Sequence, residues 1–229
     1  MDSQEQWQKL DNLQARLGHF FRDRSLLVQA LTHPSAAAEA GKPRLASYER
    51  LEFLGDSLVN AYLAELLFDL FSHEDEGVLT RLRAFWVSQP SLAAAARELG
   101  LGACLWLGAG EAKDKGWEKE RVLSSALEAL FGALYVDAGY RAGKKLARKL
   151  WAQGIRDKGL AILQEDAKTA LQEVRQAKKL GLPEYRTERD GDLFKTELYL
   201  DGVLSGRGSG VSRKAAEQAA ARETLEQIK

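Results

Sequence analysis

The sequence predicts two domains: an all-helical unit over residues 1–157 and a smaller αβββα unit over 166–229, joined by a linker at 158–165. Three observations carry this. From Gln6 to about Ile155 apolar residues recur at helical spacing, as in Leu58, Tyr62, Leu66 and Leu70, and nothing alternates long enough to make a strand. The pattern changes at a polar, glycine-containing stretch with Gly154, Arg156, Asp157, Lys158 and Gly159. Beyond it Glu197-Leu198-Tyr199-Leu200 alternates with period two, and Asp201-Gly202 is a hairpin-turn signal.

Within the first unit, helix punctuation clusters at Thr32-His33-Pro34, Gly41-Lys42-Pro43, Gln89-Pro90-Ser91 and the run from Gly108 to Gly116, dividing it into helices of ordinary length. Phe53, Leu54, Phe85 and Trp86 are core candidates. His33, in a Thr-His-Pro turn, reads as a structural hydrogen-bonder rather than a base. Gly55 costs about 1 kcal/mol relative to alanine inside a helix, so it marks a close backbone approach, at an interface or in the core. In the second unit, Lys168 to Lys179 has helical periodicity. An alanine-rich helix from Ser212 to Ile228 completes the αβββα order, with Ser212 as its N-cap.

A composition of 45% hydrophobic and 29% charged residues over 229 positions suffices for two ordinary cores. Met1 to Lys9 are polar, and no later apolar stretch is long enough to span a bilayer, so a cytoplasmic protein without membrane partners is expected. Cys104 is the only cysteine, and the three histidines do not pair with it at any metal-site spacing. Intrachain disulfides, structural zinc and thiol catalysis are therefore poor explanations. Lys plus Arg and Asp plus Glu number 33 each, giving zero formal charge, so contact with nucleic acid must come from local patches.

Chemistry concentrates in Ser47-Tyr48-Glu49-Arg50-Leu51-Glu52-Phe53-Leu54-Gly55-Asp56-Ser57-Leu58. On a helix, Glu49, Glu52 and Asp56 form one stripe at i, i+3 and i+7, while Leu51, Leu54 and Leu58 form another face. Acids so placed repel one another unless cations compensate. They are either a hard-cation site or a solvated acidic face.

The segment resembles the ribonuclease III signature Asn-Glu-Arg-Leu-Glu-Phe-Leu-Gly-Asp, with Tyr48 in place of the asparagine. Supporting matches lie at Ala30-Leu31-Thr32-His33-Pro34-Ser35, Glu76-Gly77, Leu82-Arg83-Ala84, Arg97 to Gly102 and Leu127 to Ala133. The resemblance implies a homodimeric endonuclease for double-stranded RNA, with part of the signature helix at a two-fold interface. It implies Glu52, Asp56 and Glu128 as ligands of Mg2+ or substituting Mn2+, Asp56 and Glu128 as the catalytic acids, and Glu49 and Glu76 as supporting acids. Magnesium lowers the pKa of an attacking water and neutralises transition-state charge. Products with 5′-phosphate and 3′-hydroxyl ends and short 3′ overhangs are expected, in rRNA and mRNA processing.

One departure bears on activity. The family's second acidic motif has an aspartate three residues before its glutamate, and this chain has Ser125 there. Serine supplies no negative charge, so weaker metal binding or slower cleavage is expected; Asp137, three turns away, cannot substitute.

Asp166 to Glu173 resembles the first helix of a double-stranded-RNA-binding domain, and Gly210 to Ala221 its last. Thr169, Gln172 and Glu173 share a helix face suited to 2′-hydroxyls in the RNA minor groove, although they are also ordinary exposed helix residues. Arg213 and Lys214 are placed to meet phosphates, helped by a helix N-terminus; a plain solvated charge pair is the alternative. Lys178, Lys179 and Arg207 add to the local field. The connection between Tyr185 and Phe194 lacks the Gly-Pro-Asp-His-like tip of the family, so weaker duplex binding by this half is expected. A helical protein without nucleic-acid function explains neither the acid stripe nor the second unit. A duplex-RNA-binding protein silenced at Ser125 explains both, and remains the alternative to an active nuclease.

Overall fold

The computed structural model describes residues 3–165 and 167–228; Asp166, where the second domain is expected to open, lies outside the described residues. The chain divides into two compact units, Met1–Asp157 and Lys158–Lys229. In the first unit α1 (Ser3–Leu17), α2 (Arg24–Ala30) and α3 (Pro34–Glu39) lead to a 3-10 turn at Arg44–Ala46. Then come α4 (Glu49–Leu70), α5 (Glu76–Trp86), α6 (Gln89–Glu98), α7 (Ala109–Lys113) and α8 (Glu120–Ala138). The helix α9 spans Tyr140–Glu165. No described helix is long and apolar enough to cross a membrane.

Local chemistry explains several boundaries. His33 caps α3: its Nδ1 accepts from the Ser35 amide at 3.1 Å, and Pro34 occupies the first turn, where a missing N–H is harmless. Burial lowers the pKa of the His33 imidazole, which suits an accepting cap, and this is a structural role. Pro90 likewise sits in the first turn of α6, so it starts a helix there.

The core centres on α8, whose residues from Val122 to Leu127 and from Ala129 to Leu134 are buried. Its most extensive helix partner is α4. A Cβ at Gly55 would lie 1.7 Å from the Glu128 carbonyl oxygen, and one at Gly132 would lie 2.2 Å from the Leu51 carbonyl oxygen. The two helices therefore cross backbone against backbone, with a glycine on each side. Gly55 serves the core of this unit.

One expectation needs correction. Phe53 is 81% exposed and Phe85 is also exposed, so neither belongs to the core; Leu54 and Trp86 are half-buried. Apolar character alone does not settle which face of a helix is covered. The stretch expected as a linker, 158–165, is helical, the end of α9, and the division between the units falls at its start, after Asp157. Gly154 and Gly159 stand singly among strong helix formers, so their cost of about 1 kcal/mol each is absorbed. Gly154 also has a packing reason, since a Cβ there would approach the Trp86 ring to 3.2 Å.

In the second unit, α10 (Ala167–Ala177) precedes β1 (Glu184–Asp190), β2 (Leu193–Leu200) and β3 (Val203–Gly210), and α11 (Arg213–Gln227) closes the chain. The sheet is antiparallel in the order β1-β2-β3. Ala167, Leu171, Leu198, Leu200, Ala220 and Ala221 form its core. Asp201 (φ 51°) and Gly202 (φ 82°) both have positive φ, as a two-residue primed hairpin turn requires. The β1–β2 connection is the two-residue turn Gly191-Asp192. Ser212 caps α11, its Oγ accepting from the Ala215 amide at 3.2 Å.

Candidate active site and RNA interface

The α4–α8 crossing positions the acids. Gly55 is pressed against the backbone of Glu128, so Glu52, one turn before it, and Asp56, the next residue, flank the seam from which Glu128 projects. The Glu128 carboxyl is pushed up to about 7, first by burial and then by the charges of Asp56 and Glu52. Asp56 also accepts from Asn60 Nδ2 at 3.2 Å. The structure thus brings together acids that are 76 residues apart in the chain, from Glu52 to Glu128.

The supporting acids fare differently. Glu49 forms an ion pair with Arg44, and hydrogen bonding to that guanidinium holds its carboxyl below the usual range. Glu76, at the start of α5, accepts from Thr80 Oγ1 at 2.9 Å. The charges that bear on Glu128 are those of Asp56 and Glu52, not of Glu49 or Glu76.

Ser125 lies one turn before Glu128, 8% exposed. The phenol of Tyr48, 5% exposed, meets its hydroxyl. Burial, followed by the negative charge of Glu52, raises the Tyr48 pKa far above that of a free tyrosine, while the Ser125 contact opposes the shift. Sequence reasoning missed this contact, because the two residues are remote in the chain. Asp137 is engaged elsewhere, accepting from the backbone amides of Arg22 (3.1 Å) and Asp23 (3.0 Å) and bonding His19 Nε2 at 2.7 Å.

Among the described residues, no three His, Cys, Asp or Glu side chains are placed closely enough together to hold a metal ion. Carboxylates at a shared point repel one another without a cation between them. The chemistry of these side chains nevertheless suits a hard divalent ion: the candidate donors are carboxylate oxygens, and both charges felt by the half-buried Glu128 are negative.

In the second unit, Gln172 and Glu173 are exposed on α10 and Thr169 is half-buried. Arg213 and Lys214 are exposed in the first turn of α11. Glu217 is the residue missed here. Its carboxylate pairs with Arg213 Nε at 3.1 Å and with Lys168 Nζ at 2.5 Å, and lies 3.4 Å from Thr187 Oγ1. The i,i+4 spacing of Arg213 and Glu217 was a legible signal. Lys168 and Thr187 were not, because they arrive from α10 and β1.

Residues 23–154 match the family model described as Ribonuclease-III-like, and residues 167–228 match the double-stranded RNA binding motif. Ribonuclease 3 of Legionella pneumophila (strain Lens) is 41% identical over 225 residues, covering 96% of this chain and 97% of that one. Ribonuclease 3 of Neisseria gonorrhoeae (strain ATCC 700825 / FA 1090) is 42% identical over 219 residues, covering 93% and 89%. A solved nuclease domain of ribonuclease III from Campylobacter jejuni superposes with a TM-score of 0.58 at 35% identity, covering 67% of this chain and 97% of that one. A second structure of that domain, described as showing flexibility in a region involved in dimer formation, gives 0.56 at 36% identity over 62% of this chain and 98% of that one. With a helical nuclease unit, a double-stranded-RNA-binding unit and full-length relatives of this identity, the chain belongs to the ribonuclease III family of endoribonucleases.

Proposed function

We propose that the chain cleaves double-stranded RNA at a Mg2+ site formed by Glu52, Asp56 and Glu128, leaving 5′-phosphate and 3′-hydroxyl ends with short 3′ overhangs. The observation that carries this reading is the electrostatic coupling of Glu128 on α8 to Asp56 and Glu52 on α4, at a crossing fixed by Gly55 and Gly132. A divalent ion there, Mg2+ or Mn2+, supplies an acidified water and neutralises charge developing on the phosphate. The chain's own part is to hold that charge and to move a proton. In the metal-free chain Glu128 has to release its proton before all three carboxylates are anionic, so affinity for Mg2+, and with it cleavage at limiting Mg2+, should rise from pH 6 to pH 8.

Arg213 and Lys214 are suited to phosphates, and Thr169, Gln172 and Glu173 to the minor groove. The exposed Phe53 at the start of α4 suits the interface of a homodimer, in which each subunit contributes one cleavage centre. Such an enzyme would act on structured precursors of rRNA and mRNA, in the cytoplasm.

Ser125 favours a second reading, a duplex-RNA-binding protein that no longer cuts, because one expected charge is missing. Long duplex RNA incubated with Mg2+ and the full chain separates the two. The first reading expects short fragments with 5′-phosphates that vanish in Glu128→Gln, and RNA that stays intact with the wild type establishes the second.

A further inference from the structure

We infer that Glu217 and Gln218 clasp Lys168, and that Glu217 is thereby a positioning residue of the RNA interface, setting the spacing between the starts of α10 and α11. The inference rests on the RNA contacts proposed above for those two helices. Lys168 is gripped twice. Its amide, one of the first-turn donors that α10 itself leaves without a partner, donates to Gln218 Oε1 at 3.1 Å. Its ammonium donates to Glu217 Oε2 at 2.5 Å and stands 4.5 Å from the centre of the Tyr185 ring. The other oxygen of Glu217 accepts from Arg213 Nε at 3.1 Å and lies 3.4 Å from Thr187 Oγ1, which bonds Thr196 across the sheet at 2.8 Å. One carboxylate thus ties α10, α11 and the sheet together.

The needs of α11 alone do not explain this pairing. An arginine four residues before a glutamate is the less favourable order within a helix, and a cation in the first turn opposes the helix dipole. Nor is it an ordinary surface pair. The Glu217 side chain is 12% exposed, against 34% for Lys168 and 68% for Arg213, so the acid lies beneath two cations and holds like charges side by side. Thr169 follows Lys168 directly and Gln172 and Glu173 stand on the next turn, while Arg213 and Lys214 open α11. A duplex fixes the distance from its minor groove to the neighbouring phosphates, so side chains on two helices meet both only at a set spacing. Without Glu217, Lys168 and Arg213 repel each other and that spacing loosens.

Filter binding of duplex RNA to the full chain, in buffer free of divalent ions, separates position from charge. Glu217→Gln removes an acid beside phosphates, so charge alone would tighten binding, whereas loss of the clasp should weaken it about fivefold. Glu217→Asp keeps the charge but is one methylene shorter, and should weaken binding as well. Tighter binding by Glu217→Gln, or unchanged binding by Glu217→Asp, overturns the positioning role. In thermal melts without RNA, Lys168→Ala and Glu217→Gln together should shift Tm by less than the sum of the two alone, and additive shifts overturn the clasp. Wild type that binds no duplex RNA refutes the RNA-binding reading, while the melts still decide the clasp.

Discussion

Glu128 concentrates the chemistry at the scale of the residue. Its folded pKa of about 7 lies above the ordinary carboxylate value of 4.5. Below pH 4.5 it is protonated both folded and unfolded and has no effect. Between pH 4.5 and 7 the unfolded chain ionises first, so stability falls as pH rises. Glu128→Gln should therefore raise the stability of metal-free protein at pH 8 by about 1–2 kcal/mol, after allowance for the part of the carboxyl still reached by solvent, and change nothing at pH 4.5. Denaturant melts at the two pH values check this, and an equal effect at both would contradict it. The acid stripe was legible in the sequence because helical spacing fixes the directions of Glu49, Glu52 and Asp56. The fate of Glu49 was not, since Arg44 precedes the helix and spacing alone cannot show that it folds back onto that carboxylate.

At the scale of the element, the α4–α8 crossing is the critical joint. A methyl at Gly55 has nowhere to go, because the obstacle is the backbone of Glu128. Gly55→Ala should destabilise the chain by about 2–3 kcal/mol despite alanine's better helix propensity, and should reduce cleavage further by shifting Glu52 and Asp56 from Glu128. Thermal melts set beside cleavage rates measure both effects, and a variant as stable as wild type would contradict the packing. The sequence marked Gly55 as a place of close approach but could not name its partner, which comes from a distant helix.

In the second unit, α11 presents two cations in unequal states. Arg213 is held by Glu217, whereas Lys214 is exposed beside it. Lys214→Ala should reduce the slope of log affinity for duplex RNA against log salt by about one, and Arg213→Ala by less, because its charge is already partly neutralised. Filter binding over a range of salt checks this, and equal losses would contradict the role given to Glu217. Helix and strand periodicity made the αβββα order readable, but the cross-element pairing of Glu217 needed the fold.

For the whole molecule, zero net charge with local acid and basic clusters means that binding and chemistry depend on where charges are gathered. The proposed homodimer makes Phe53 its most exposed liability in isolation, a large aromatic ring left in water beside the acids. Phe53→Asp should convert a dimer to a monomer in light scattering and lower cleavage, while leaving the monomer's fold unchanged by circular dichroism. A wild type that is already monomeric at micromolar concentration would contradict this assembly. Fold class and the two-unit order followed from periodicity and motif over long stretches. Exposure of Phe53 did not, because an apolar side chain reads the same whether it meets a core or another subunit.

The most direct test of the metal site is anomalous scattering from a crystal of the full chain soaked in Mn2+. A peak should lie among the carboxylates of Glu52, Asp56 and Glu128, on the face of α4 toward α8. An ordered site with no peak there, or with manganese bound only elsewhere, would contradict it.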